Sequence, residues 1–333
     1  MIKTPLVDVF MPTYNHGTYL AQAIESVLAQ KTDFAYRLNI ADDGSTDGAQ
    51  ALSKQYAQQN PDHIRAVLSP HHVGILHQDR LSLKVLQSCQ AKYVAVLEGD
   101  DYWTDPDKLQ KQIDFLESHP DFAICFHGVK TVNEKGDEQP DPCLAPHQKP
   151  ISTIEDLLAG NFIHACSVMF RGGLIKEFPD WYTTVRLGDW PLHVMNARHG
   201  KIGYLDEVMA AYRFHEGSLW SSRDRLDQIT ETIEVLDHLD AYLGFKYRKH
   251  IKASKGRRCF QLAETYYLRG RLAEARVAVG KSLRYSGFRN WPAVNLSFRL
   301  RAPNLYARLL TLRNLARKRE PVRRAGPGRV LKQ

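Results

Sequence analysis

A chain of 333 residues, 43% hydrophobic and 25% charged, has the make-up of an ordinary globular protein, long enough for one large domain or two smaller ones. No apolar run approaches the roughly 20 residues that a membrane-spanning helix needs, and the opening Met1-Ile2-Lys3-Thr4-Pro5 lacks the apolar core of a secretory signal. The net charge of +8 hides an asymmetry: residues 1–240 carry 34 Asp/Glu against 21 Lys/Arg, and residues 241–333 carry 3 against 24, an acidic body with a basic tail.

Val7–Met11 reads as a first strand, followed by the polar loop Pro12-Thr13-Tyr14-Asn15-His16-Gly17. Thr18 is a fair cap for a helix to about Gln30, with Leu20, Ile24, Val27 and Leu28 on one face. A second strand, Arg37–Ala41, ends in Asp42-Asp43-Gly44-Ser45-Thr46-Asp47, and a helix to about Gln59 follows. Ile64–Leu68 is a third strand, with a loop containing Gly74 and a helix to about Cys89 behind it. The fourth strand, Tyr93–Leu97, runs into Glu98-Gly99-Asp100-Asp101-Tyr102-Trp103. Lys108–Glu117 is the next helix and Phe122–Phe126 a fifth strand. Strands alternating with helices of about a dozen residues predict a mostly parallel, doubly wound α/β sheet, whose ligands bind beyond the carboxyl ends of the strands.

Three carboxylates within four residues at a strand end repel one another and lose hydration unless a cation or donors compensate them. Hard divalent ions, Mg²⁺ or Mn²⁺, take such oxygens and keep positions open for phosphate. The plain alternative is an acidic turn leading into the helix at Pro106. Because polar loops follow strands one, two and four, the pattern favours a divalent metal site for a phosphorylated ligand.

Residues 128–150 read as a loop or an irregular hairpin. Then come a short helix Ile154–Ala159, the segment Arg186-Leu187-Gly188-Asp189-Trp190-Pro191, a helix Leu192–Arg198, strands Lys201–Tyr204 and Val208–Arg213, and an amphipathic helix from Asp224 to about Leu243. From Arg257 the spacing of Phe260, Ala263, Tyr267, Gly270, Leu272, Ala275 and Val279 predicts a helix–turn–helix resembling a single tetratricopeptide-type unit, a helical appendage rather than an array. Domains are expected at 1–222, 223–302 and 303–333. Five cysteines, Cys89, Cys125, Cys143, Cys166 and Cys259, with no CxxC pair, point to reduced thiols in a cytosolic protein and away from a zinc site.

Pro12-Thr13-Tyr14-Asn15, Asp42–Asp47 and Glu98–Trp103, in that order on that strand pattern, resemble the family 2 glycosyltransferases of the GT-A fold, in particular the bacterial branch that assembles surface polysaccharide, including lipopolysaccharide. The resemblance covers about residues 5–220. It implies inverting transfer of a sugar from a nucleotide-diphosphate donor to an acceptor hydroxyl. Pro12, Thr13, Tyr14, Asn15, Asp42, Asp43, Glu98, Gly99 and Asp101 would line the donor site, with Asp42 accepting the imide N–H of uracil or thymine. Asp100 would bind the metal, with His215 a second ligand and Arg213 on phosphate, from the Tyr212-Arg213-Phe214-His215 segment. Asp189 would be the base, as an exposed carboxylate near its ordinary pKa of ~3.9; the helix that Pro191 begins offers it an N-cap role as well. Trp190 is a platform for a sugar face, and His164 a lining residue on the acceptor side. Relatives carry Asn-x-Gly where this chain has His72-Val73-Gly74, so no catalytic duty is assigned to that loop.

Leu305, Leu309, Leu312 and Ala316 share a helical face among arginines, which fits a basic helix on an anionic membrane beside a lipid-linked or polysaccharide acceptor. The expected setting is the cytoplasmic side of the inner membrane, as a peripheral protein. Nucleic acid is not expected as a partner, since no binding module appears. A nucleotidyltransferase would carry Lys or Arg in its first loop, which Pro12–Gly17 lacks. A catalytically inactive scaffold of the same fold is the remaining rival, and the intact Asp42, Asp100 and Asp189 weigh against it.

Overall fold

The computed structural model describes residues 4–77, 80–140, 148–218, 220, 222–287 and 290–302. The strands are β1 (Val7–Thr13), β2 (Tyr36–Asp42), β3 (Ile64–Leu68), β4 (Tyr93–Val96), β5 (Tyr102–Trp103), β6 (Phe122–Val132), β7 (Glu138–Gln139), β8 (Ile151–Ser152), β9 (Met169–Arg171) and β10 (Lys201–Arg213). The helices are α1 (Leu20–Leu28), α2 (Ala49–Gln59), α3 (Leu81–Ser88), α4 (Lys108–Ser118), α5 (Ile154–Ala159), α6 (Asp189–Ala197), α7 (Arg225–Tyr242), α8 (Arg248–Leu268), α9 (Leu272–Ser286) and α10 (Trp291–Arg301).

In β1 and β4 both faces are apolar, and the two-residue period divides them between separate cores. Val7, Val9, Met11, Tyr93 and Ala95 pack with Leu20, Ile24 and Val27 of α1 and with Leu109, Ile113 and Leu116 of α4. Phe10, Val94 and Val96 pack on the other face with Leu83 and Leu86 of α3, Met195 of α6 and Leu236 of α7. Each such side chain contributes about 1.5–3 kcal/mol by leaving water. The interior also takes in Asp8, which is fully buried and satisfied by Arg37, Asn39 and the amides of Gln90 and Ala91.

The sheet runs β3-β2-β1-β4-β9-β6-β10-β5, with β7 beside β6 and β8 beside β10. β3, β2, β1 and β4 pair in parallel, as do β6 and β10, while β9 enters antiparallel between β4 and β6. β1 lies between β2 and β4, so the order reverses there and a crevice opens beyond the carboxyl ends of β1 and β4. The expected α/β fold, with a mostly parallel central sheet and helices at the C-terminal end, is the one observed.

Several boundaries differ from the sequence expectation for local reasons. α1 begins at Leu20, and Tyr19 rather than Thr18 holds the N-cap position, without a side-chain bond. β6 continues to Val132 and hairpins into β7 through Gly136, which adopts a positive φ. The two strands expected after residue 200 are one, β10, kept continuous along β6 by bulges around Leu205–Ala210. α6 starts three residues early, at Asp189, and Pro191 sits in its first turn.

The chain divides into two compact units after Ser254, a division that falls within α8. In the second unit, Ala263, Ala275, Ala278, Val279, Ala293, Leu296 and Leu300 form a small core of their own. Gly270, at positive φ, separates α8 from α9, and Asn290 caps α10 by accepting from the Ala293 amide at 3.3 Å. Among the described residues no helix is long and apolar enough to cross a membrane. The expected membrane-binding helix around Leu305–Arg317 lies outside the described residues.

Candidate active site

The loops that follow β1, β2 and β4 are tied to one another by short polar side chains. Asn15 adopts φ 55°, a turn conformation that Asn tolerates; its Oδ1 accepts from the Thr46 amide, and its own amide donates to Ser45 Oγ, both at 2.9 Å. Asp47 accepts from the Gly17 amide at 2.6 Å and from the Ala49 amide at the start of α2. Asp43 grips the loop after β3, taking hydrogen bonds from the amides of Val73 (3.2 Å) and Gly74 (2.8 Å) and pairing with His72 at 2.9 Å. Gly44 is required here: at φ +78°, a Cβ would stand 2.2 Å from the His71 carbonyl carbon. Gly99 is required too, because a Cβ would meet Thr13 Oγ1 at 2.6 Å.

Where these loops converge, polar atoms are buried without a partner among the described residues: Thr13 Oγ1, His16 Nδ1, Asp42 Oδ2 and Asp100 Oδ1. An orphaned buried polar atom costs about 1–3 kcal/mol, so natural interiors keep few of them. These four lie at one end of the sheet, in the crevice where ligands of such folds bind, which makes it the candidate site. Asp42 is informative because its other oxygen is committed, accepting from the Ser45 amide at 2.9 Å. Its Oδ2 is buried with no partner among the described residues.

Two carboxylates after β4 lie among opposing influences. Burial, then Asp100 and Asp189, push Glu98 up to about 8. Burial also acts on Asp100, but His16 and a 2.9 Å hydrogen bond from His215 outweigh it and hold the carboxyl below its ordinary range. Groups whose environments push their pKa values apart mark functional positions. Asp189 bears on Glu98 although it comes from a distant part of the chain, at the start of α6. It is half-buried rather than exposed, its Oδ2 accepts from Asn161 Nδ2 at 2.8 Å, and burial raises its pKa.

His16, Asp100 and His215 each offer one ligand atom, all within 4.8 Å of one another. His215 Nε2 lies 2.9 Å and His16 Nε2 3.6 Å from Asp100 Oδ2. Burial lowers the His16 pKa despite the pull of Asp100. The orphaned Asp100 Oδ1 and the mixed imidazole–carboxylate donor set suit a divalent cation. His215 also lines an open cleft of about 790 Å³ with Asn133, Glu134, Lys135 and Phe214.

Pro12, Thr13 and Asp42 at strand ends, and Tyr14, Glu98, Gly99, Asp100 and His215 in the loops beyond them, thus come together at this crevice, while Asn15 and Asp43 spend their polar groups holding the loops together. Three expectations are corrected. Trp190 is 1% exposed, its ring packed in the core and its Nε1 donating to the Leu157 carbonyl at 2.9 Å, so it has no face to offer a sugar. Arg213 is 4% exposed and directs its guanidinium to the carbonyls of Asp100, Asn133 and Glu134 and to Gln22 Oε1, which leaves it bracing loops rather than facing phosphate. Asp101 is 1% exposed and turned inward, accepting from the Arg213 amide at 2.8 Å; burial and the neighbouring carboxylates push its pKa well up. His164 is half-buried against the Tyr212 ring at 5.3 Å.

Sequence reasoning passed over three residues. His16 sits in a loop already singled out, but no motif distinguishes it from a turn residue. His72 stacks on Tyr14 with ring centres 3.8 Å apart, in the loop given no duty. Asn161 holds Asp189 from 28 residues away, a pairing that no local pattern encodes.

The family model described as "Glycosyl transferase family 2" matches residues 8–178. An uncharacterized protein of Mycobacterium tuberculosis is 36% identical over 210 residues, 63% of this chain and 59% of that one, so the chain spans about three fifths of the length of these curated relatives. The putative teichuronic acid biosynthesis glycosyltransferase TuaG of Bacillus subtilis is 30% identical over 222 residues, 66% of this chain and 83% of that one. Among solved structures, residues 1–349 of Staphylococcus aureus TarS in complex with UDP-GlcNAc superpose with a TM-score of 0.63 at 18% identity, over 94% of this chain and 91% of that one. A Pyrobaculum calidifontis mannosyltransferase in complex with GDP-Man and Mn²⁺ has a TM-score of 0.53 at 17% identity, over 93% and 84%. The GT-A fold anticipated from three loop motifs is thereby the fold of the chain, which belongs to glycosyl transferase family 2.

Proposed function

We propose that the protein is an inverting glycosyltransferase that moves a sugar from a nucleotide-diphosphate donor, UDP-linked by preference, to a hydroxyl of a growing or lipid-linked surface glycan. The observation that carries this reading is the crevice beyond β1, β2 and β4, where Asp42 Oδ2 and Asp100 Oδ1 lack partners among the described residues and Asp189 bears on Glu98. Asp42 accepts the imide N–H of the base, and Thr13 and Tyr14 complete the nucleobase pocket. Glu98 faces the donor ribose. A divalent cation held by Asp100 and His215 would offset the charge that grows on the departing diphosphate.

In the transfer step the acceptor oxygen bonds to the anomeric carbon as that carbon's bond to the diphosphate oxygen breaks, and the bonding pair leaves with the nucleotide. Asp189 takes the hydroxyl proton. Its raised pKa makes it a stronger base than a free aspartate, and Asn161 fixes the direction of its lone pairs. The nucleotide sugars bound to TarS and to the archaeal mannosyltransferase, and the biosynthetic role in the name of TuaG, are in keeping with this donor class and with a glycan acceptor. The basic segment from residue 303 onward holds the enzyme to the anionic cytoplasmic face of the inner membrane, where lipid-linked acceptors reside.

Asp189→Asn tests the assignment. It keeps the size and the Asn161 contact but removes the base, so transfer, followed as nucleotide release, falls at least about 100-fold while nucleotide affinity stays within twofold. Unchanged transfer would remove Asp189 from the mechanism, and lost nucleotide binding would make it structural.

A further inference from the structure

The cation site assigned above uses one carboxylate and one imidazole, and a second imidazole stands beside them. We infer that His16 is a third direct ligand, so that the chain itself supplies a two-histidine, one-carboxylate face and loads Mn²⁺ in preference to Mg²⁺ before any nucleotide binds. The inference deepens the proposed function and rests on that reading of the crevice.

The three side chains come from separate elements, His16 after β1, Asp100 after β4 and His215 after β10. Ligands at right angles on an ion bound at about 2.1 Å stand roughly 3 Å apart. The observed 2.9 Å and 3.6 Å separations from Asp100 Oδ2 bracket that value. His215 is within hydrogen-bond distance of Asp100 Oδ2 at 2.9 Å, whereas His16 Nε2 makes only a longer ion pair with the same oxygen at 3.6 Å, beyond a hydrogen bond. Asp100 Oδ1 also lacks a partner among the described residues, so the carboxylate keeps an unpaired acceptor beside the two imidazoles.

The surroundings hold all three in place. The His215 ring packs against Tyr19 at 5.2 Å and meets the His16 ring edge-on at 89°. The Asp100 carbonyl is held by Arg213 Nε at 3.0 Å. Gly99 leaves room for the His16 ring, which an added Cβ would approach to 3.1 Å.

The ligand set decides the metal. Mg²⁺ favours an all-oxygen shell and gives up its water reluctantly, whereas imidazole nitrogen suits transition ions. Three protein ligands also cover half of a six-coordinate shell, so binding does not wait for diphosphate oxygens. Because His16 and Tyr14 share a loop, the ion also fixes one wall of the nucleobase pocket.

The experiment titrates Mn²⁺ into the EDTA-stripped, desalted full chain without nucleotide, reading free Mn²⁺ by electron paramagnetic resonance, with Mg²⁺ as competitor. Wild type should take up one Mn²⁺ per chain and resist at least a tenfold excess of Mg²⁺. His16→Gln should weaken Mn²⁺ binding about 10–100-fold and erase the preference. Electron spin echo modulation on wild-type protein provides a reading independent of any variant: two imidazole nitrogens should couple to the bound Mn²⁺. Equal Mn²⁺ affinity in His16→Gln, a single coupled nitrogen, or a requirement for nucleotide before any uptake would each overturn the inference. UDP and GDP binding in EDTA, measured in parallel, keeps the donor reading separate. If it persists while Mn²⁺ uptake fails, only the metal assignment falls; if it is absent while Mn²⁺ binds, the donor assignment falls.

Discussion

Asp42 shows how one side chain serves fold and site at once. Its Oδ1 accepts from the Ser45 amide and shapes the loop after β2, while Oδ2 is buried with no partner among the described residues. Asp42→Asn preserves the first bond and turns the second position into a donor that meets the N–H of a uracil. UDP affinity measured by calorimetry should fall roughly 10-fold or more, the equivalent of a lost buried hydrogen bond at ~1–3 kcal/mol, with little change in melting temperature. An unchanged affinity would remove Asp42 from the base pocket. At this scale the sequence was legible for positions, placing Asp42 at the end of β2 and Asp100 in the loop after β4. It was misleading at Trp190 and Arg213, because a motif gives the backbone position and not the direction of the side chain. Trp190 lies on the inward side of α6, and Arg213 meets four oxygens supplied by three distant segments.

At the scale of elements, the site depends on loops that are too short to hold themselves. Arg213, at the end of β10, joins the loop after β4, the β6–β7 turn and α1 through carbonyl and amide oxygens. Arg213→Ala removes the donor from these oxygens of half-buried and exposed residues, and about 1–2 kcal/mol of stability should go with it, read as a lower urea midpoint. If stability held and only nucleotide affinity fell, Arg213 would be a phosphate ligand after all. The strands and helices themselves were readable because both cores are built on strict periods of two and about four. What escaped was continuity: β10 reads as two strands because its bulge around Leu205–Ala210 breaks the alternation, yet pairing with β6 carries it through.

At the scale of the whole molecule, the acidic first 240 residues contain the candidate crevice, and the basic charge is concentrated in residues 241–333. Under the proposed function, the acidic part would hold the cation and donor and the basic part would meet anionic lipid. Removing residues 303–333 should abolish flotation with vesicles containing phosphatidylglycerol and leave transfer to a soluble acceptor intact; undiminished flotation would end the anchoring role.

The central claim is that the crevice binds a nucleotide diphosphate with a cation. It is tested most directly by thermal unfolding with UDP, dTDP, GDP and CMP, each with Mn²⁺ and with EDTA. A ligand at about 100 times its dissociation constant adds ~2.7 kcal/mol of stability, so UDP with Mn²⁺ should raise the melting temperature by several degrees, and EDTA should shrink that rise. No shift with any nucleotide in either condition would contradict the account and leave the chain a scaffold with a glycosyltransferase fold.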